Sequence, residues 1–376
     1  MSKWTIVKLG EVATYINGYA FKPSDWSDVG LPIIRIQDLT GNNYETNFYS
    51  GEYDPKYEIN DGDILISWSA SLGIYKWNSG KAVLNQHIFK VVFDKLQIDK
   101  NYYFYAVEYL LDDMTKETHG STMKHITKPR FDNTFFPYPP IQIQRRIAET
   151  LDKVNLLISI CRDMLIKCDT LVKSQFVEMF GDPVTNEKHW EMKPLLSMGN
   201  CKNGMNFHRD DKGVEINCLG VGDFNDSSTI EDTSKLPTIS LNEIPSEEYL
   251  LKNDDIVFVR SNGNKALVGR SIAVYPEKIP TTFSGFCIRY RRTDDSVNTP
   301  YLLRFFKAES IRQRMVGRGA NIQNLNQQIL GELIIPVPPL DLQNQFADFV
   351  KTIDKSKFDV QLLIKNIRRV KFYDQF

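Results

Sequence analysis

The sequence predicts an α+β protein in which two pseudo-repeated globular domains alternate with two long helices, and the helices are expected to form an antiparallel coiled-coil spacer. Apolar residues recur at heptad spacing over two long stretches, and the second stretch repeats the first at an offset of 199 residues. The segments between them mix short apolar runs with turn residues. The predicted boundaries are 1–140 and 184–339 for the domains, and 141–183 and 340–376 for the helices.

The first long helix is predicted by apolar residues that step by four and three positions in alternation. Pro139 and Pro140 precede it, and Gly181 and Pro183 follow it, where glycine and proline commonly end a helix. A helix over residues 145–180 would be about 54 Å long at about 1.5 Å per residue, which suits a spacer. A buried helix inside one large domain is the alternative. The seam residues are Ile147, Leu151, Val154, Ile158, Cys161, Leu165 and Cys168.

The second long helix repeats the first one. Residues 336–346 read PVPPLDLQNQF and residues 137–147 read PYPPIQIQRRI, so proline, proline-proline and glutamine recur at the same offsets. We expect the helices to pair antiparallel and to place the domains at opposite ends, whereas a parallel pairing would bring both domains to one end. The seam residues of the second helix, each 199 positions after its counterpart, are Phe346, Val350, Ile353, Val360, Ile364 and Ile367.

The domains carry weaker traces of the same duplication. The segments 4–21 and 190–207 match at an offset of 186 residues, and each predicts a short helix followed by an Asn-Gly turn. The apolar runs 63–69 and 255–261 match at an offset of 192 residues, and each predicts a buried strand followed by a polar loop. The offset reaches 199 at the helices, so loops of the second copy carry 13 additional residues.

Composition narrows the class of protein. The 376 residues, with 42% hydrophobic and 25% charged residues, predict a soluble chain with two cores. The net charge of −1 argues against a chain that holds DNA alone, but less against a subunit whose partners bind the phosphates. Five cysteines without a Cys-x-x-Cys pair indicate a reducing compartment, and the five histidines lack metal-ligand spacing. No signal peptide or apolar run of membrane length is present, which predicts a cytoplasmic protein.

The chain resembles the specificity subunits of Type I restriction–modification systems. The resemblance rests on the duplication, on the Pro-x-Pro-Pro-x-x-x-Gln start of each helix, and on KSQFVEMFGDP at residues 173–183, which is similar to the end of the first helix in that family. It implies two target recognition domains that each read one half of a split DNA site. It also implies helices that set the gap and bind two modification subunits, which methylate adenine with S-adenosylmethionine, and in some systems two restriction subunits. The family's specificity subunit has no catalytic activity.

The sequence lacks the motifs of a self-contained DNA-modifying enzyme. It has no Asn/Asp-Pro-Pro-Tyr run with which an amino-methyltransferase grips a flipped base, and no glycine-rich cofactor loop between a strand and a helix. Acid-x-lysine spacings at residues 54–56 and 191–193 resemble nuclease sites, but chance produces them often at this charge content. The alternatives are a subunit of a fused methylase–nuclease system, a self-contained methyltransferase or nuclease, and a structural adaptor.

The candidate DNA-binding residues lie in the polar loop after each buried strand, in a basic segment, residues 116–130 or 304–318, and shortly after the second of these segments. Short polar side chains and arginine reach base edges, and clustered cations bind phosphate, although a solvated loop or face has the same composition. The first-domain candidates are Ser67, Trp68, Ser69, Ser71, Lys116, Ser121, Lys124, His125, Lys128 and Arg130. The second-domain candidates are Arg260, Ser261, Asn262, Asn264, Arg312, Arg314, Arg318, Asn321 and Gln323.

The two domains differ in arginine content. Residues 184–339 contain ten arginines, and residues 1–140 contain two. Arginine pairs bidentately with O6 and N7 of guanine. We therefore predict that the second domain reads at least one guanine, with Arg260 and Arg318 as the first choices.

Overall fold

The computed structural model describes residues 4–42, 45–117, 125–208, 211–224, 228–316 and 324–373. The chain divides into two compact units, Met1–Cys161 with Leu363–Phe376, and Arg162–Leu362. Each unit contains one globular domain and parts of both long helices, and each mixes strands with helices, as the α+β prediction requires. The predicted domain boundaries, which treat the helices as separate segments, remain predictions.

The first unit holds sheets of order β2-β9-β6-β7 and β4-β3-β8-β5 and a ribbon β1-β10. Its strands are β1 (Thr5–Lys8), β2 (Thr14–Asn17), β3 (Leu31–Ile34), β4 (Phe48–Tyr49), β5 (Glu58–Ile59), β6 (Ile64–Ser67), β7 (Gly73–Lys76), β8 (Ala82–Leu84), β9 (Ile88–Val92) and β10 (Phe135–Tyr138). Its helices are α1 (Leu9–Val12), α2 (Ile36–Thr40), α3 (Lys100–Glu117) and α4 (Lys128–Asp132), and the first long helix is α5 (Ile141–Phe180).

The second unit repeats this plan with sheets of order β12-β19-β16-β17-β14 and β15-β13-β18 and a ribbon β11-β20. Its strands are β11 (Glu191–Pro194), β12 (Gly199–Asn203), β13 (Val214–Leu219), β14 (Thr229–Ile230), β15 (Thr238–Leu241), β16 (Asp255–Val259), β17 (Ser271–Val274), β18 (Thr281–Phe283), β19 (Cys287–Arg292) and β20 (Ile334–Val337). Its helices are α6 (Thr299–Lys307), α7 (Glu309–Val316) and α8 (Gln327–Gly331), and the second long helix is α9 (Leu340–Tyr373).

The buried strands predicted from the apolar runs are β6 and β16, and all of their residues are buried. The predicted Asn-Gly turn is wrong. Gly18 and Gly204 directly follow β2 and β12, and neither has a positive φ. A Cβ at Gly18 would overlap the backbone of Asn85, and one at Gly204 would overlap the backbone of Ser284. Glycine is required here because two backbone segments cross closely, a demand that the sequence does not distinguish from a turn.

The first long helix has 40 residues and is about 60 Å long. It ends as predicted, because Gly181 has a φ of 77° and its N–H bonds to the carbonyl of Val177 at 2.8 Å. Every predicted seam residue on both long helices is buried or half-buried.

Contacts inside the second unit show the relative direction of the parts of the two long helices that lie in this unit. The ring centroid of Phe346 lies 5.5 Å from that of Phe180, and Lys357 Nζ lies 2.6 Å from Asp169 Oδ1. Contacts therefore move backward along α5 as they move forward along α9, so the helices run antiparallel in this unit. A continuous coiled coil across both units stays a prediction.

The repeated glutamine joins each long helix to its domain. Gln144 is fully buried; its amide donates to the carbonyl of Pro139 at 2.8 Å and accepts from the N–H of Asp99, just before α3, at 2.9 Å. In the second unit Gln343 is also fully buried, and it makes the matching bonds to Pro338 and Asn298 at 2.8 Å each. These bonds satisfy backbone groups that would otherwise be buried without partners.

A tyrosine completes the same junction. Tyr102 donates its hydroxyl to the carbonyl of Pro137 at 2.8 Å, and Tyr301 donates to that of Pro336 at 2.7 Å. Proline has no N–H, so a proline-rich segment cannot be fixed by a full backbone ladder. The glutamine and tyrosine side chains supply the missing attachments at the start of both long helices.

Replacing Gln343 with Leu is expected to lower the free energy of unfolding by at least about 2 kcal/mol. The substitution leaves the partly buried N–H of Asn298 and the carbonyls of Ser296 and Pro338 without this side-chain partner. Gln345→Leu, an exposed position on the same helix, should change it by less than about 0.5 kcal/mol. Denaturant unfolding of the full chain measures both, and equal effects would contradict the junction's role.

Candidate nucleic-acid interface

Two candidate DNA-binding segments that are distant in the sequence contact each other in the first unit. Ser69, in the loop after β6, forms an antiparallel bridge with His125, which precedes α4. The N–H of Ile126 donates to the carbonyl of Trp68 at 2.9 Å. Trp68, Ser69 and His125 therefore lie together, as a shared DNA-binding site would require.

The second unit repeats this contact. Ser261 forms an antiparallel bridge with Asn324, and the N–H of Leu325 donates to the carbonyl of Arg260 at 2.8 Å. Some of the other predicted DNA-binding residues lie outside the described residues, or their side chains are not described. These are Lys116, Ser121, Lys124, Arg318, Asn321 and Gln323.

Each of these sites also contains a third segment, which was not among the candidates predicted from the sequence. In the first unit it is the turn between β8 and β9, and in the second unit it is the turn between β18 and β19. The N–H of Trp68 donates to the carbonyl of His87 at 3.2 Å, and the N–H of Arg260 donates to that of Phe286 at 2.8 Å. The two turns share no motif, and only their common offset of 199 residues could have indicated that they are equivalent.

The first-unit site is built around the indole ring of Trp68. The ring lies edge to face with His87 and with His125, each at 4.9 Å between centroids, and stacks on Phe89 at 5.7 Å. Its Nε1–H donates to Asn17 Oδ1 at 3.0 Å. Because this donor already has a protein partner, Trp68 acts as the platform of the site, and exposed His125 presents polar atoms to solvent.

Strain accompanies the packing of the first-unit site. His87 has a φ of 72°, in the left-handed region that residues other than glycine rarely adopt, although histidine is among those that adopt it more often. Its Nδ1 is buried with no hydrogen-bond partner among the described residues. A strained residue with an unpaired polar atom is a recurrent feature of functional sites.

The second-unit site places arginine where the first has tryptophan. Half-buried Arg260 donates from Nη1 to the carbonyl of Gly285 at 3.3 Å, which holds the guanidinium against the turn. Guanidinium has five N–H donors, so this bond is compatible with bidentate pairing to a base. Asn203, equivalent to Asn17, has a buried Oδ1 without a partner among the described residues.

Loop residues of both sites divide into structural and exposed groups. Ser67 is fully buried and donates its hydroxyl to the carbonyl of Ser71, so its prediction as a DNA contact is wrong: the β6 strand would have to open. In the second unit, Asn262 Oδ1 accepts from the N–H of Asn264 at 2.7 Å, and Asn264 Oδ1 accepts from that of Ala266 at 3.0 Å. These asparagines shape the loop.

The basic candidate residues also differ in their contacts and in their exposure. Lys128 pairs with Asp132 at 2.7 Å, and Arg312 donates to the carbonyls of Ala266 and Val268 at 3.1 and 3.2 Å. Lys128, Arg130 and Arg314 are exposed, whereas Arg312 is half-buried.

Two cations of the segment 304–318 belong to the interior of the second unit. Burial lowers the pKa of Lys307 to about 8, and its Nζ donates to Ser228 Oγ at 2.6 Å. Burial also lowers the pKa of the Arg304 guanidinium. The segment is therefore less cationic at its surface than its sequence indicates.

A family model described as the Type I restriction modification DNA specificity domain matches residues 1–166 and 187–366. The chain belongs to this family. The EcoBI specificity subunit of Escherichia coli is 30% identical over 196 residues, which are 52% of this chain and 41% of that subunit. The MjaVIII specificity subunit of Methanocaldococcus jannaschii is 23% identical over 381 residues, covering 93% of this chain and 86% of that subunit.

A solved chain from a study of complex assembly and conformational transition of the type I R-M system has the same fold. The TM-score is 0.58 at 14% identity, and the match covers 99% of this chain and 98% of that chain. The resemblance read from the sequence is confirmed, as is the fold of two repeated domains. The chain is a DNA-specificity subunit that works with the other components of a restriction–modification complex, and it is not itself an enzyme. No helix in the described part of the chain has the length and apolarity to span a bilayer.

Arg260→Ala is expected to relax the preference for guanine at one base pair of one half-site. A bidentate arginine–guanine pair contributes about 1–3 kcal/mol of discrimination, equivalent to about 5- to 150-fold. A DNA-binding selection with the assembled complex measures this preference.

Arg314→Ala is the comparison for this experiment, because Arg314 is exposed on α7 and stands in a basic segment. It is expected to weaken binding to all sequences alike, as loss of a phosphate contact does. Uniform weakening by Arg260→Ala as well would assign Arg260 to phosphate.

Proposed function

We propose that this chain is the specificity subunit of a Type I complex in which residues 1–140 read one half of a bipartite DNA site and residues 184–339 read the other. The observation that carries the proposal is the three-segment site, which occurs once in each unit with equivalent backbone bonds and different side chains. To read two half-sites of different sequence, two domains can share the same backbone arrangement but need different side chains where they contact DNA.

The proposal includes two modification subunits that bind the long helices. Five exposed apolar side chains on α5 fall, by helical spacing, on one face beside the seam, whereas the exposed Ile166 and Val177 lie on another face. The five are Leu156, Leu157, Ile160, Met164 and Leu171. An apolar face of this kind favours a helical protein partner over water.

The stoichiometry of two is supported by a second repeated surface. Phe135 on β10 and Ile6 on β1 are exposed, as are Ile334 on β20 and Met192 on β11. The same apolar ribbon thus occurs in both copies, which is expected if two identical subunits bind.

The chemistry belongs to the partners in this proposal. S-adenosylmethionine binds the modification subunits, which transfer its methyl group to adenine, and two restriction subunits join where the system cleaves DNA. The complex works in the cytoplasm, where it meets DNA. The described residues of this chain contain no His/Cys/Asp/Glu group suited to a metal ion.

The purified chain is expected to show no methyl transfer, because its role is to place DNA rather than to react with it. Addition of modification subunits and S-adenosylmethionine should produce adenine methylation in a split site with a fixed unread gap. Sequencing of the methylated bases measures both parts. Methyl transfer by the chain alone, or a continuous site, would contradict the proposal.

Ile160→Glu is expected to weaken binding of the modification subunits by at least tenfold, because it places a charge in the apolar face of α5. Lys173→Glu, an exposed position on another face of the helix, is the control for a change to glutamate. Calorimetric titration measures the affinity, and circular dichroism verifies the helix content of each variant. Equal affinities for the two variants would exclude this face as the docking surface.

A further inference from the structure

The three-segment site has the same backbone in both units, so its side chains can be compared position by position. Trp68 corresponds to Arg260, His125 to Asn324, and His87 to Phe286, as the matching hydrogen bonds and bridges establish. The side chains of His87 and Phe286 have different surroundings. His87 packs on Trp68, whereas 61% of Phe286 is exposed.

The exposed ring of Phe286 stands on a fixed backbone. Its carbonyl accepts from the N–H of Arg260 at 2.8 Å and from that of Ser261 at 3.3 Å, and its own N–H donates to Ser284 Oγ at 3.3 Å. A rigid turn that holds a large apolar ring in water loses the stabilisation that burial would give. Such a position suits contact with a ligand.

The neighbour of this ring is the arginine of the site. The Arg260 guanidinium bonds to the carbonyl of Gly285, the residue directly before Phe286. The two side chains therefore extend from one point of the scaffold, and successive base pairs are only about 3.4 Å apart. An arginine that pairs with one base would leave the ring beside the next base pair.

We propose that Phe286 is a specificity-determining residue that contacts the 5-methyl group of a thymine next to the guanine read by Arg260. A phenyl ring cannot hydrogen-bond to a base edge, and the thymine methyl is the apolar group that the major groove offers. The assignment rests on the proposed reading of one half-site by the second domain.

The first unit uses the equivalent positions differently. His87 is turned into the packing around Trp68, and the exposed group of that site is His125, on another segment. The same crossing of backbone segments therefore presents an apolar ring in one unit and an imidazole in the other. This difference accounts for distinct half-sites without a change of fold.

Uracil lacks the methyl group of thymine and is otherwise the same base, so it isolates the proposed contact. The assembled complex is titrated with DNA in which each thymine of the second half-site is replaced singly by uracil. At one position, beside the guanine whose preference Arg260→Ala relaxes, uracil should weaken binding by about fourfold, the value for one buried methyl group. With Phe286→Ala the same replacement should have no effect.

Ile244→Ala, at an exposed apolar residue of the same unit, is the control and should retain the full uracil effect. The inference is overturned if uracil has no effect on the parent complex, or if Phe286→Ala keeps the effect. It is also overturned if the half-site has no thymine beside that guanine, or if Phe286→Ala weakens all sequences equally, as loss of an intercalating wedge would. A complex without sequence-specific binding would instead contradict the proposed function.

Discussion

One buried glutamine amide at the start of each long helix connects that helix to its globular domain. Gln144 and Gln343 each bond both to the proline-rich segment before the helix and to the start of the domain's own helix, α3 or α6. Proline fixes the chain direction and offers no N–H, so the glutamine side chain determines the attachment. If a reading domain is to present its loops at a set place on DNA, this junction has to be rigid. Complete burial of both amides provides that rigidity.

The close backbone crossing beside Gly18 and Gly204 gives both domains the same reading scaffold. Next to each crossing, the three segments of the site are joined by backbone hydrogen bonds, which do not depend on side-chain identity. Side chains at the crossing can consequently change while the fold is retained. Trp68 with its histidines and Arg260 with Phe286 are two such solutions on equivalent frames.

The charge distribution agrees with a subunit that reads bases and leaves much of the phosphate binding to its partners. The net charge is −1, and several cations have internal partners. Arg291 pairs bidentately with fully buried Asp255 at 2.7 Å, and Lys307 and Arg304 have pKa values lowered by burial. Burial of a cation requires a partner or a lowered pKa, so these residues are engaged in the interior of the second unit and do not attract DNA at its surface.

The sequence by itself determined the duplication, the long helices with their seam and glycine end, and the buried strands β6 and β16. These features follow from local periodicity and from residues with fixed backbone preferences. It also determined the family, through the order of repeated motifs. Only the tertiary structure decided that Asn-Gly marks a crossing, that Ser67 is buried, and that His87 and Phe286 join the sites. The physical reason is that burial and contact depend on segments distant in the chain, about which local spacing carries no information.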